Sequence, residues 1–155
     1  MGTSDFFTST VDKAMRKHSP LRRRPLTKTQ LLPLPTDQVR RLSLKHHLAL
    51  AALCSGCGDV ESIATLSNTL ALSFYLRADG EAELYRRADS TLTQCIARAE
   101  RGEPWTLTDA ERTAIEALLL VHDEQLAAVP VHRYLEALEQ VQHVGTTAFG
   151  LPIES

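Results

Sequence analysis

The chain has 155 residues, 43% hydrophobic and 23% charged, with a formal net charge of −2. This is enough apolar material for one buried core without disulfides or metal, and it excludes wholesale disorder. The longest apolar run, near residues 48–54, falls far short of the ~18 residues of a membrane span.

No signal-type apolar stretch follows Met1, and Phe6 stands where myristoylation favours Ser or Thr, so the expectation is a cytoplasmic protein without membrane contact. In that setting Cys54, Cys57 and Cys95 read as reduced thiols. The charge is split along the chain. Residues 1–41 carry nine basic and three acidic side chains, a net of +6, and the remainder carries eight basic and sixteen acidic, a net of −8. Such polarity speaks to association rather than to fold.

In chain order, residues 4–18 place Phe6, Phe7, Val11, Ala14 and Met15 at helical spacing. Asp5 stands at the start and Lys13, Arg16, Lys17 and His18 at the end, the order a helix dipole favours. Ser19-Pro20 stops this helix. Residues 20–35 hold four prolines, Arg22-Arg23-Arg24 and no glycine, the composition of an extended linker. Residues 1–35 are thus expected to form a basic arm on a core of residues 36–144, with a C-terminal tail at 145–155.

The core opens with Thr36 as expected N-cap and Asp37 in the first turn. Val39, Leu42, His46, Leu50, Leu53 and Cys54 form one stripe, and Leu44, Leu48, Ala51 and Ala52 widen it, which predicts a helix buried on two sides. After Ser55-Gly56-Cys57-Gly58, Asp59 caps a second helix on Val60, Ile63, Ala64, Ser67, Leu70, Ala71, Phe74, Tyr75 and Ala78, ending at Gly80. A third spans residues 81–101 and stops at Gly102. Thr108-Asp109-Ala110-Glu111 is a capping box for a fourth, with Ala114, Ile115, Leu118, His122, Leu126 and Val129 on one face. Pro130 then interrupts a continuing pattern through Val131, Tyr134, Leu135, Leu138 and Val141; either the helix kinks there or Pro130 opens a new one, and a kink is the favoured expectation because Val129 would be a poor N-cap. Short connections and the absence of any period-2 segment predict an all-α, antiparallel bundle of four to five core helices.

Four constellations bear on chemistry. Cys54-Ser55-Gly56-Cys57 follows His46-His47, but an intact helix separates His46 from Cys54 by ~12 Å, whereas zinc ligands converge to ~2.0–2.3 Å. Glycine-assisted turning explains the motif without a metal. His122-Asp123 is similar to the doublet of HD-type phosphohydrolases, with His46 or His47 as an earlier ligand; no aspartate follows Asp123, so that family's last ligand is missing. Residues 53–77 have the length of a helix-turn-helix, yet its second helix has Arg77 as its one cation, and residues 59–129 carry six basic against thirteen acidic side chains. The arm could bind phosphates or an acidic protein surface through Arg22, Arg23 and Arg24, or fold back on its own acidic body.

Leu48-Ala49-Leu50-Ala51-Ala52-Leu53 with Gly56 and Gly58-Asp59, and Ile115-Glu116-Ala117-Leu118-Leu119 leading into His122-Asp123-Glu124-Gln125-Leu126, carry a resemblance. They resemble a loosely described set of small helical proteins from bacterial plasmids, phages and integrative elements, some labelled Fis-like regulators. A Fis-like protein should end in a basic helix-turn-helix, whereas this C-terminus is acidic or neutral. The resemblance implies an accessory protein of a mobile element, in a setting where anti-defence inhibitors such as anti-CRISPR proteins are common. An acidic helical body of that kind suits the basic channel of a nucleic-acid-handling target.

The expected function is a non-catalytic protein-binding regulator or inhibitor, with no metal or cofactor and with homodimerisation open. Its contacts are expected from Phe6, Phe7, Arg16, Lys17, Arg22, Arg23 and Arg24 on the arm and Glu81, Glu83 and Asp89 on the body. Two alternatives stand beside it: a nucleic-acid-binding transcriptional regulator using the arm, and a metal-dependent HD-like hydrolase.

Overall fold

The computed structural model describes residues 25–145. They form a short α1 (Lys28–Leu31), then α2 (Thr36–Cys54), α3 (Val60–Leu76), α4 (Ala82–Glu100), α5 (Asp109–Ala128) and α6 (Val131–Gly145). The architecture is the expected all-α bundle with five core helices. Among the described residues the one β-type pairing is the isolated bridge between Pro33 and Pro130. No helix there is long and apolar enough to cross a membrane.

α3 is the axis. It has one charged residue, Glu61, and it packs against α2, α4, α5 and α6. An apolar helix of this kind must be covered all round, and the other helices supply the cover. Leu50, Leu53, Leu66, Leu70, Tyr85, Leu92, Ile115, Leu118 and Leu119 join in the main core between α2 and α5. A second cluster sets Leu34, Leu72, Leu126, Tyr134 and Ala137 around the α6 end of the bundle.

The helix ends follow local chemistry. The carboxylate of Asp59 accepts from the Ser62 amide at 2.8 Å at the start of α3. At the start of α5, Thr108 and Glu111 form the reciprocal capping box expected of them. The same Glu111 carboxylate takes a bidentate bond from Arg98 of α4, at 2.8 and 2.9 Å. Arg98 also donates to the Thr106 carbonyl at 2.9 Å, so one guanidinium fixes the α4–α5 connection and the α5 terminus together.

Five expectations need correction. α2 is buried on one side rather than two, with Leu44, Leu48 and Ala51 exposed. Pro35, not Thr36, is the cap of α2: its carbonyl accepts from the Val39 amide at 3.0 Å. α3 stops at Leu76 rather than running towards Gly80, because Arg77 turns extended and its guanidinium lies 3.7 Å over the Phe74 ring while donating to the Phe74 carbonyl. α5 and α6 are separate helices, not one kinked helix. Proline disfavours helical backbone at the residue before it, and Val129 is extended, so α5 ends there and Pro130 offers its carbonyl to the Tyr134 amide.

The stretch read as an extended linker also packs, in its described part. Thr27 and Gln30 form a capping box around α1, and α1 lies on α6. The Val131 amide donates to the Leu32 carbonyl at 2.8 Å, and Leu34 is buried in the second cluster. The helix expected over residues 4–18 lies outside the described residues.

Gly58 sits where the turn after α2 presses on the core. A Cβ there would stand 2.8 Å from the Trp105 backbone carbonyl and collide with the Leu53 side chain, which is fully buried. Gly58→Ala is therefore expected to lower stability by about 1–3 kcal/mol, measured by denaturant unfolding. A midpoint equal to that of the wild-type chain would refute this tight approach.

Candidate functional site

α2 and α5 run antiparallel and face each other with two polar doublets, His46-His47 and His122-Asp123. The structure brings all four residues together but divides them into two pairs. Inside the bundle, the rings of His46 and His122 lie 5.4 Å apart, and both residues are buried. At the half-exposed rim, His47 Nε2 donates to Asp123 Oδ2 at 2.9 Å and Ser43 Oγ donates to Oδ1 at 2.8 Å.

The inner pair continues into a polar network centred on Gln125. Its Oε1 accepts from Ser73 Oγ at 2.8 Å and lies 2.8 Å from His122 Nδ1. Its Nε2 donates to the Ser73 carbonyl at 3.1 Å and to the Tyr85 hydroxyl at 3.3 Å. Ser73 and Tyr85 complete the ring at 3.0 Å between their hydroxyls. Because an amide oxygen only accepts, the network assigns the His122 proton to Nδ1. That leaves His122 Nε2 as an enclosed lone pair without a partner, and His46 Nδ1 is enclosed and unpartnered as well.

Burial sets the protonation of this pair. Desolvation, with the neighbouring His122 adding to it, lowers His46 from the ordinary 6.5 to about 4; Asp123 opposes the shift, while Lys45 and His47 reinforce it. Desolvation also lowers His122, against the opposing pull of Gln125 and Asp123. Both rings are neutral at pH 7. They fill the space between α2 and α5 as flat, neutral rings.

This geometry does not assemble a three-ligand metal set. Among the described residues, no group of three or more His, Cys, Asp or Glu could hold a metal ion. The cysteines do not rescue the zinc arrangement: Cys57 is exposed, Cys54 half-buried, and Cys95 is buried with its thiol on the Thr106 carbonyl.

A different feature marks the opposite side of α5. A groove of about 960 Å³ runs between α4 and α5 over Leu84, Ala110, Ala114 and Ala117, with Glu83, Arg86, Arg87 and Asp89 among its lining residues. Two of the three acidic residues singled out from the sequence, Glu83 and Asp89, meet here, while Glu81 stands at the cap of α4. The face is not purely acidic, since Glu83 pairs with Arg86 at 2.7 Å and with Arg87 at 3.1 Å. Those arginines hold the Glu83 carboxyl below its usual range. Phe6, Phe7, Arg16, Lys17, Arg22, Arg23 and Arg24 lie outside the described residues.

Sequence reasoning missed Gln125, Ser73 and Tyr85 as a unit. A polar residue on the buried face of a helix, as Ser73 is on α3, was the available signal. Comparisons with protein-family models, with curated proteins and with solved structures found no match.

Two predictions follow from the inner network. His46 is depressed in the folded chain and ordinary in the unfolded one, so its stabilisation is complete above pH 6.5 and lost as pH falls from 6.5 to 4. The shift corresponds to about 3 kcal/mol, read from urea unfolding across that window, and His46→Leu should flatten the slope. An unchanged slope in the variant would assign the loss to other groups. Gln125→Leu strands the His122 Nδ1 proton, while the Ser73 and Tyr85 hydroxyls keep their bond to each other, and should destabilise by about 1–3 kcal/mol in the same assay.

Proposed function

We propose that this chain is a non-catalytic protein-binding regulator, of the accessory kind that bacterial mobile elements encode, acting as an inhibitor in the anti-defence manner of anti-CRISPR proteins. The observation that carries protein binding is the open groove between α4 and α5. Its floor of alanines lets a partner backbone approach closely, and its rim of Glu83, Arg86, Arg87 and Asp89 offers both signs of charge for orientation. The enclosure of His46 and His122 supports a non-catalytic role, because two of the groups best suited to proton transfer are closed off from solvent. The mobile-element setting rests on the two helical strings and their resemblance.

The nucleic-acid alternative rests on Arg22, Arg23 and Arg24, outside the described residues. The body lends it little: α3, the helix a helix-turn-helix would present, is wrapped by α2, α4, α5 and α6.

The test is affinity capture from a bacterial host with the full chain, in parallel with an Ala114→Arg/Ala117→Arg variant and an Arg22/Arg23/Arg24→Ala variant. A stoichiometric protein partner lost with the first variant supports the groove. Capture that survives the groove variant, or that consists of nucleic acid lost with the arm variant, overturns this reading.

A further inference from the structure

A cavity of about 400 Å³ opens where α2, α3 and α6 meet. Leu42 of α2, Leu72 of α3, and Leu138 and Val141 of α6 give it apolar walls, the make-up of a small-molecule site. Two polar side chains in the same wall are buried yet unused by the fold. His46 is 7% exposed and Tyr134 5%. No described residue hydrogen-bonds to the Tyr134 hydroxyl or to either nitrogen of His46. Because His46 Nδ1 is enclosed, the proton of the neutral ring belongs on Nε2: a buried bare lone pair costs less than a buried N–H without an acceptor. Buried polar groups are normally paired. An N–H and an O–H left over beside one cavity therefore point to an acceptor supplied from outside the chain. Thr69, also buried in this wall, is different: it donates to the Thr65 carbonyl at 2.7 Å.

The charge of the wall selects what carries that acceptor. Lys45 is the one charged side chain lining the cavity, and it makes no ion pair among the described residues. The acids of the three helices, Asp37 on α2, Glu61 on α3, and Glu136 and Glu139 on α6, are exposed and are not part of the lining. Asp123 acts on His46 from α5, but it is held by Ser43 and His47 and lines a separate groove on the α2–α5 seam. One cation without an acid suits one negative charge. A phosphoryl group brings up to two charges and more acceptor oxygens than one ammonium answers, and an amine would meet no counter-charge. The flexible stem of Lys45 lets its ammonium follow a carboxylate at the opening.

We propose that this cavity binds a small monocarboxylate with an apolar body, its hydrocarbon on Leu42, Leu72, Leu138 and Val141 and its carboxylate answered by Lys45 and by the unpaired donors of His46 and Tyr134. Such a ligand ties α6 to α2 and α3. It leaves the α4–α5 groove free, so the site stands or falls independently of protein binding there.

Isothermal titration of the full chain with octanoate and with hydrocinnamate is the test. Saturable binding of at least one acid is expected, with octanol and octylamine, which keep the apolar chain but not the negative charge, at least about tenfold weaker. Lys45→Gln and Tyr134→Phe should each weaken the acid about tenfold, and Leu138→Trp should fill the cavity and abolish binding. Arg41→Gln, which removes a cation of the same helix outside the lining, should leave the affinity unchanged. Circular dichroism confirms that each variant is folded. A chain that binds neither acid, as it would if its own residues 146–155 filled the cavity, overturns the proposal. So does acid binding that survives Lys45→Gln or a folded Leu138→Trp, or that octanol matches.

Discussion

The side-chain amide of Gln125 is the contact on which the arrangement of helices depends. It reaches Ser73 on α3 and Tyr85 on α4, and it orients His122 on its own helix, whose ring meets His46 on α2. Leucines alone would hold four helices together at many rotations and offsets. Directed hydrogen bonds accept few, because every wrong register leaves a buried polar group unpaired. The apolar core supplies most of the driving force, and this network supplies the registration.

The network also explains why His46 and His122, which look chemical in the sequence, lie packed inside the fold. A catalytic or metal-binding histidine needs a lone pair or proton aimed at open space. The free nitrogens of His46 and His122 are enclosed, whereas His47 stands at the rim and gives its Nε2 proton to Asp123. The tolerance of two orphaned ring nitrogens has a physical reason. Neutral imidazole is a weakly demanding group, and its charged form is what burial penalises most.

Helix positions were legible where a periodic stripe met a capping residue, as at Asp59 and at Thr108 with Glu111. Boundaries set by backbone–proline sterics or by a side chain returning to its own helix, as at Val129 and Arg77, carry no periodic signal. α1 was hidden for a related reason: its four residues are too few for a stripe, and it is held by a backbone bond from Val131 and by Leu34. The candidate groove was half visible, through Glu83 and Asp89. Its other wall comes from Ala110, Ala114 and Ala117, some thirty residues away in sequence, and pairing across that distance is a product of the fold.

The outward leucines of α2 show how one sequence pattern serves two levels of structure. A helix apolar on both faces can be wrapped by neighbours on both faces, as α3 is, or can sit at the margin of a bundle with one face spare. Charge separates the cases. α3 has Glu61 as its one charged residue and lies at the centre, whereas α2 mixes Arg40, Arg41 and Lys45 among its outward leucines and lies at the margin. Cations beside exposed leucines work against indiscriminate sticking, since any surface that covers the leucines must also answer the charge. The charge split along the chain therefore has a counterpart within the body. The α2 margin continues the basic character of the arm, and the acid is concentrated on the helices that follow.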